Sequence, residues 1–490
     1  MNNLQTKPHL VQGLGLFDAT MIVAGSMIGS GIFIVSADMA RQVGCAGWLL
    51  SVWALSGVLT IIAALSYGEL AAMFPRAGGQ YVFLREAYNP LFGFLYGWAL
   101  FMVIQTGTIA AVASAFARFV GVLFPIVSEQ HKFFQIGRFS LSPATIVAIL
   151  IIWLLTYSNC KGLKTGKTVQ NIFTFTKIAA LVGLIIAGLL IGANSRAIEL
   201  NFSNLWSASI VKTTASGEAV QIPHSWMTLV MAVGVSMVGS LFSSDAWNNV
   251  TFTAAEVRSP SKNLPLSLLV GVAIVTALYF LANIAYLVTL PLKGSPAAAD
   301  DFGRGIQFAT NDRVATAAAR IMFGEAGGAV MAVFIMISTF GCMNGMILAG
   351  ARVYYAMALD GLFFRKVAEL NSNSAPQNGL IFQAVWSSFL VLSGAYSDLL
   401  DYVIFAVLIF YIATIVGLFI LRKKRPDVER PYKTLGYPLL PSLYIIAASL
   451  ISIILLISPK TSHNTVPGLI IVLTGIPIYY LWKKFSNVKK

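Results

Sequence analysis

The sequence is poor in charge. Asp, Glu, Lys and Arg make up 11% of its 490 residues, against about 25% in a soluble globular domain. Hydrophobic residues make up 57% and the mean hydropathy is +0.78, which excludes an ordinary soluble enzyme or a disordered chain and points to a membrane protein. Cysteine and histidine are scarce as well: three Cys (Cys45, Cys160, Cys342) and four His. No pair reads as a disulfide, and no His stands near Cys or carboxylates at metal-ligand spacing. We therefore expect no metal and no cofactor. The apolar segments also lack His, so no nucleophile with its base can be assembled at depth, which argues against an enzyme. Met1 to Gln12 lacks the charged-then-apolar-then-small order of a signal peptide.

What charge there is carries a sign. The formal net charge is +14, with the densest runs "RKKRPDVERPYK" at 422–433 and "KKFSNVKK" at 483–490. Aromatic interleaving and a groove-reading motif are both missing, so nucleic acid is not the expected partner. Basic loops anchor topology instead, and the positive-inside bias places both termini in the cytoplasm. At about 20 residues per crossing, the chain divides into roughly twelve apolar segments, from 16–40 and 46–72 through 226–254 and 379–396 to 466–482. The expected class is an all-α membrane protein with the cell membrane as its home and lipid as its surroundings.

One apolar segment is interrupted. "GSMIGSGIF" at 25–33 sets three glycines and two serines inside a hydrophobic stretch, where Gly costs about 1 kcal/mol against Ala in a helix. Its pattern returns as "GSLFSSD" at 239–245. These are the first and sixth segments, so the second copy enters from the opposite side. Two interrupted helices at matching positions of two halves are a sequence pointer to a transporter site on inverted repeats. Close helix packing through small-xxx-small faces also fits the first copy. An unwound hinge there offers N–H groups to an anion and C=O groups to a cation, which matches the backbone of a zwitterionic amino acid.

Other polar residues at depth single themselves out. Asp245 falls in the second break, beside Phe242 and Trp247, as a helix cap, a pore residue or part of a site. Lys177, in "NIFTFTKIAAL", is the one cation deep in an apolar stretch. It needs a partner or a lowered pKa, and carbonyls freed at the first break are candidates. "ISTFGCMNG" at 337–345 brings Ser338, Thr339 and Asn344 into the eighth segment, although Ser and Thr often bond their own helix. Glu69, Arg76, Arg85 and Glu86 form either a salt-bridged surface or an inner gate. "AAEVRSPSKNLP" at 254–265 reads as a helix end and a Pro-limited loop.

Read in order, "GSMIGSGIF" (25–33), "GELAAMFPRAGGQYVFLREAYNPLFGFLYGW" (68–98), "TFTKIAALVG" (174–183), "LFSSDAWNNVTFTAAEVRSPSKNLPLS" (241–267) and "STFGCMNGMILAGARVYYAMALDGLFF" (338–364) resemble the amino acid–polyamine–organocation superfamily, near the L-type amino acid transporters. The resemblance runs through nearly the whole chain. It implies about twelve transmembrane helices in one transporter domain, a LeuT-like five-plus-five inverted repeat (14–193 and 226–421) with two further helices (438–482), helices 1 and 6 broken, and alternating access. It implies that Ser30 and Gly31 meet the substrate carboxylate with their backbone, beside Gly29. Met27, Phe242 and Asp245 would offer carbonyls to the amine, Phe242 would also gate the site, and Ser243 and Asn248 would line it. Lys177, with Ser338 and Thr339, would stand where sodium-coupled relatives hold an ion. Two departures matter. Ser243-Ser244 and Ala246 replace the usual aromatic and glycine, which leaves side-chain specificity open. The stretch 121–141 lacks the cysteine that joins animal relatives to a heavy chain, so a transporter without that disulfide-linked subunit is expected.

The function expected is secondary transport of neutral L-amino acids by sodium-independent exchange, with proton-coupled symport as the alternative. A channel or sensor on the same scaffold is more distant, because a channel needs a continuous polar path or a ring of charge.

Overall fold

The computed structural model of the chain describes residues 10–127, 131–136, 139–213, 219–393 and 396–487. The ends of the chain and parts of the stretch 121–141 (128–130 and 137–138) lie outside the described residues. The first crossing is built from α1 (Leu16–Met27), α2 (Gly31–Ile34) and α3 (Ser36–Val43). It is followed by α4 (Ala46–Met73) and the short α5 (Gln80–Ala87). α6 (Pro90–Ala99) runs through a π-helical turn, Leu100–Ile104, into α7 (Gln105–Leu123). A small hairpin, β1 (Phe134–Ile136) and β2 (Phe139–Leu141), precedes α8 (Pro143–Cys160), α9 (Leu163–Leu190) and α10 (Ser195–Phe202). A second antiparallel hairpin pairs β3 (Ser209–Thr213) with β4 (Ala219–Pro223), Val211 opposite Gln221.

The second half begins with α11 (Trp226–Ser243), α12 (Asn249–Phe252) and α13 (Pro260–Thr289). Then come α14 (Asp301–Arg304), α15 (Val314–Leu359), α16 (Gln377–Ser393) and α17 (Tyr396–Lys424), and finally α18 (Leu439–Ile457) and α19 (Ser462–Asn487). Gly324, at φ +67° and ψ −161°, bends α15 sharply, so 314–323 is a separate helical piece. Starts follow ordinary capping chemistry: Asn89 and Ser142 accept N–H bonds just ahead of Pro90 and Pro143.

Among the described residues, eleven helical segments are long and apolar enough to cross a membrane. The segment expected at 379–396 is α16, which has 17 residues. α9, α18 and α19 turn Phe175, Leu190, Ile446, Ile453, Leu473 and Leu481 outward, as acyl chains rather than water demand. α4, α7 and α15 are buried along most of their length and form the core.

The bundle has two faces. On the proximal face, where the chain starts, the Gly13 and Leu14 N–H groups both donate to Glu256 O (3.0 Å each), and Arg258 N–H donates back to Leu14 O at 2.8 Å. The distal face carries both hairpins and joins α3 to the segment before α15 through Arg41 and Asp312 (2.7 Å). The site lies between these faces.

Candidate functional site

Both interruptions foreseen in the sequence are real breaks. α1 stops at Met27, Ile28 is extended (ψ +91°), and α2 restarts at Gly31. α11 stops at Ser243, and α12 begins only at Asn249. The two breaks touch. A Cβ added at Gly31 would sit 2.8 Å from Ser243 Cβ and 3.1 Å from its Cα, so the approach exists only because residue 31 is glycine. Within the second break Ala246 takes φ +63°, the left-handed region that glycine adopts without strain. The family-type glycine expected there is thus what the backbone geometry suits.

A helix that stops leaves its last carbonyls without partners. Here each carbonyl from residue 25 to residue 29 receives a donor from another helix. Lys177 Nζ on α9 donates to Gly25 O and to Ile28 O (2.7 Å). Cys342 Sγ on α15 donates to Ser26 O at 3.0 Å. The Tyr279 hydroxyl on α13 lies 3.0 Å from both Met27 O and Ser243 O, bridging the two breaks. Ser338 Oγ on α15 lies within reach of Ile28 O (3.1 Å) and Gly29 O (3.0 Å). Lys177 also reaches Ser338 O at 3.4 Å. It is 1% exposed, yet its three N–H donors face three carbonyls, the full complement of an ammonium group.

Thr339 does not join this set, although the sequence reading placed it there. Its hydroxyl bonds its own helix at Ile335 O (2.9 Å) and Met336 O (3.0 Å). Nor does Glu69 meet Arg76 or Arg85. It is fully buried, held by Arg422 (2.6 Å) and the Thr434 N–H (2.7 Å), while Arg76 stays on the exposed surface. Arg85 pairs with Glu86 and Asp360, and Glu86 with Arg425 at 2.7 Å. The segment 254–265 is more than a loop: Glu256 and Arg352 form an ion pair at 2.9 Å, 1% and 2% exposed. Tyr279, Cys342, Gln80 and this pair were not singled out as site residues in the sequence. Their partners lie far along the chain, and the acceptors of Tyr279 and Cys342 are backbone carbonyls.

On the far side of the second break, Asp245 accepts a bond from the Tyr411 hydroxyl at 2.6 Å, and Tyr411 packs against Tyr67 and Trp247. Asn248 Nδ2 donates to Gln80 Oε1 at 2.9 Å. Met27, Gly29, Ser30, Gly31, Phe242, Ser243, Asp245 and Asn248 are all buried. Two cavities of about 10 and 20 Å³ flank the Asp245–Tyr411 bond, room for a water at most. A larger cavity of about 340 Å³ opens above the breaks on the distal side, lined by Val35, Asp38, Arg41, Gly239, Asp312 and Lys460. Asp38 pairs there with Lys460 at 2.8 Å and with Arg41 at 3.5 Å. The site is therefore drawn closed, under a charged distal vestibule.

The amino acid permease family model matches residues 14–481. The chain is 29% identical to the human b(0,+)-type amino acid transporter 1 over 484 residues, 97% of this chain and 89% of the relative. It is also 29% identical to the mouse large neutral amino acids transporter small subunit 2, over 96% of this chain and 81% of the relative.

Proposed function

The chain belongs to the amino acid permease family, and from that premise we propose that it carries neutral L-amino acids across the cell membrane by sodium-independent exchange. The halves 14–193 and 226–421 act as inverted repeats around the paired breaks, with 438–482 as an added pair of helices and both termini cytoplasmic. The amino acid's carboxylate meets the peptide N–H groups at Ser30 and Gly31, and its amine meets carbonyls at Met27, Phe242 and Asp245. Met27 O already accepts from Tyr279, but a carbonyl has a second lone pair for the amine. Phe242 closes over the occupant.

The observation that carries the sodium-independent reading is the set of capped carbonyls from Gly25 to Gly29. A coupling cation needs several open oxygens. Lys177 and Ser338 donate to those of Ile28 and Gly29, and the Lys177 ammonium puts a positive charge where a coupling cation would sit, so a second cation there is repelled. With the charge built in, substrate alone drives the swing between faces, which makes exchange the natural cycle. The stretch 121–141 contains no cysteine, which supports activity without a disulfide-linked subunit.

Asp245 favours a second, overlapping substrate class. It is buried in the site, and among the described residues it enters no ion pair. A cationic side chain would supply the missing charge. The test is counterflow by the purified chain alone in proteoliposomes, with each of the twenty amino acids competing against labelled leucine. One-for-one exchange that ignores sodium and an imposed proton gradient supports the proposal, whereas uptake driven by a proton gradient into empty vesicles replaces it with symport. Asp245→Asn is expected to weaken competition by lysine and arginine more than by leucine.

A further inference from the structure

The segment "GGQY" at 78–81 links α4 to α5 through two glycines with left-handed φ, +105° at Gly78 and +43° at Gly79. A Cβ on Gly79 would fall 2.7 Å from the Thr251 backbone carbon and 2.9 Å from the Phe252 ring. The Gly78 N–H donates to Phe252 O at 3.1 Å. The loop is thereby laid directly on α12, and the next residue, Gln80, is driven into the core with no exposure at all.

Both ends of its amide are engaged. Gln80 Oε1 accepts from Asn248 Nδ2 at 2.9 Å, and Gln80 Nε2 donates to Thr414 Oγ1 at 3.0 Å. The Thr414 hydroxyl in turn donates to Phe410 O at 2.7 Å. Gln80 also lines the small cavity beside Asp245, with Gln105, Asn249 and Tyr411. The remainder of α5 is tied to the proximal ends of α15 and α17, through Tyr81 to Asp360 (2.7 Å) and Glu86 to Arg425 (2.7 Å). α5 is thus a strut with one end in the site.

We propose that Gln80 is a positioning residue that sets the side-chain selectivity of the site by fixing the amide of Asn248. This rests on the reading of Asn248 as a substrate-pocket residue. An Asn amide offers two donors and one acceptor. With one N–H held by Gln80, its rotation is blocked, and which groups remain for a substrate side chain is decided outside the site. A site built to hydrogen-bond a polar side chain discriminates strongly because an apolar competitor leaves its buried groups unpaired. Thr414 holds Gln80 from behind but does not touch Asn248.

The experiment measures kcat/KM for serine, leucine and lysine in proteoliposomes of the full chain, for wild type, Gln80→Leu, Gln80→Glu and Asn248→Ala. In Gln80→Leu, Asn248 loses this hold and keeps its hydrogen bond with Tyr96, and the serine-to-leucine ratio is expected to change about tenfold or more, carried mainly in KM. Gln80→Glu keeps the acceptor for Asn248, so it should hold the serine-to-leucine ratio while moving preference toward lysine, because it adds negative charge beside the Asp245 cavity. This variant also covers the case in which Gln80→Leu does not assemble. A purely structural glutamine would lower all three rates in proportion. If Asn248→Ala changes the profile and neither Gln80 variant does, the inference is overturned while the site reading stands. If Asn248→Ala itself leaves the profile unchanged, the site reading fails and this inference falls with it.

Discussion

Gly31→Ala should slow transport, and the amount follows from one contact. The added methyl would meet Ser243 Cβ at 2.8 Å and Ser243 Cα at 3.1 Å. The Ser243 hydroxyl, now donating to Gly239 O at 2.8 Å, is nearer still but can rotate. The Cα cannot, because it belongs to the backbone of α11. Forcing a methyl into such a packed contact costs about 1–3 kcal/mol. Whether the whole penalty reaches the rate depends on which states bring the breaks together. In alternating access they meet when the site closes and part when it opens, so the penalty falls on the closed state alone. At about 1.4 kcal/mol per decade, turnover should drop roughly 5- to 150-fold with little change in assembly. Gly31→Val adds two further carbons and should abolish transport.

The cause can be separated from general damage by a second substitution. Ser243→Gly removes the hydroxyl and the Cβ, leaving only the 3.1 Å approach to Cα. Alone it should be mild, since residue 243 is the last of α11. Combined with Gly31→Ala it should restore most of the rate, with a coupling energy of about 0.5–3 kcal/mol in the double-mutant cycle. The measurement is initial counterflow rate at saturating substrate, normalised to inserted protein. Two results refute the reasoning: Gly31→Ala transporting at the wild-type rate, or a double variant no faster than Gly31→Ala. Either would mean that the breaks do not close on each other during turnover.

Lys177→Met should cut turnover at least about 100-fold while the protein still inserts, because it strips charged donors from Gly25 O and Ile28 O, each worth about 1.5–3 kcal/mol; counterflow at the wild-type rate would reduce Lys177 to a filler. Arg352→Met leaves the Glu256 carboxylate buried without its partner and should destabilise the detergent-solubilised protein by about 3–5 kcal/mol, read as a lowered thermal midpoint that Glu256→Gln partly restores in the double variant. Ala246→Gly relieves the φ +63° conformation and should raise that midpoint by an amount equivalent to about 1 kcal/mol; a lower midpoint would show that the methyl packs usefully.

How far the site was legible in the sequence depends on what each polar residue bonds. The breaks were visible because glycine and serine inside an apolar run are local composition. Lys177 was visible because a lone cation at depth has few explanations. Partner choice was not visible. Glu69 has Arg76 and Arg85 nearby in the text, yet it binds Arg422, 353 positions away, because the end of α17 comes down beside α4. Thr339 stands next to Ser338 in the sequence and on a different face of the helix. It bonds back to its own turn, as Thr60 and Thr156 do, and nothing in its letter distinguishes the two behaviours.

What distinguishes them is the supply of acceptors. An intact helix commits its interior carbonyls to its own N–H groups and leaves only the second lone pair for a side chain from elsewhere, as Met346 O takes Gln105 at 2.7 Å. A broken helix exposes a row of them, and side chains on neighbouring helices that would otherwise bond locally are drawn across. Lys177, Tyr279, Ser338 and Cys342 come from three helices and have little in common as residue types, but all end on carbonyls between Gly25 and Gly29. Gln170 and Thr174 reach one turn further, to Met21 O, at a looser 3.4 and 3.3 Å. The acceptors are peptide groups, identical at every position, so no motif in the donors could have announced them. The break in α1 is therefore the organising element: it creates the unmet carbonyls, and the buried polar residues around it are its caps. If so, unwinding at 28–30 and the donor set must stand or fall together. Moving α1 away from α9, α13 and α15 has to break these bonds, those to Lys177 included.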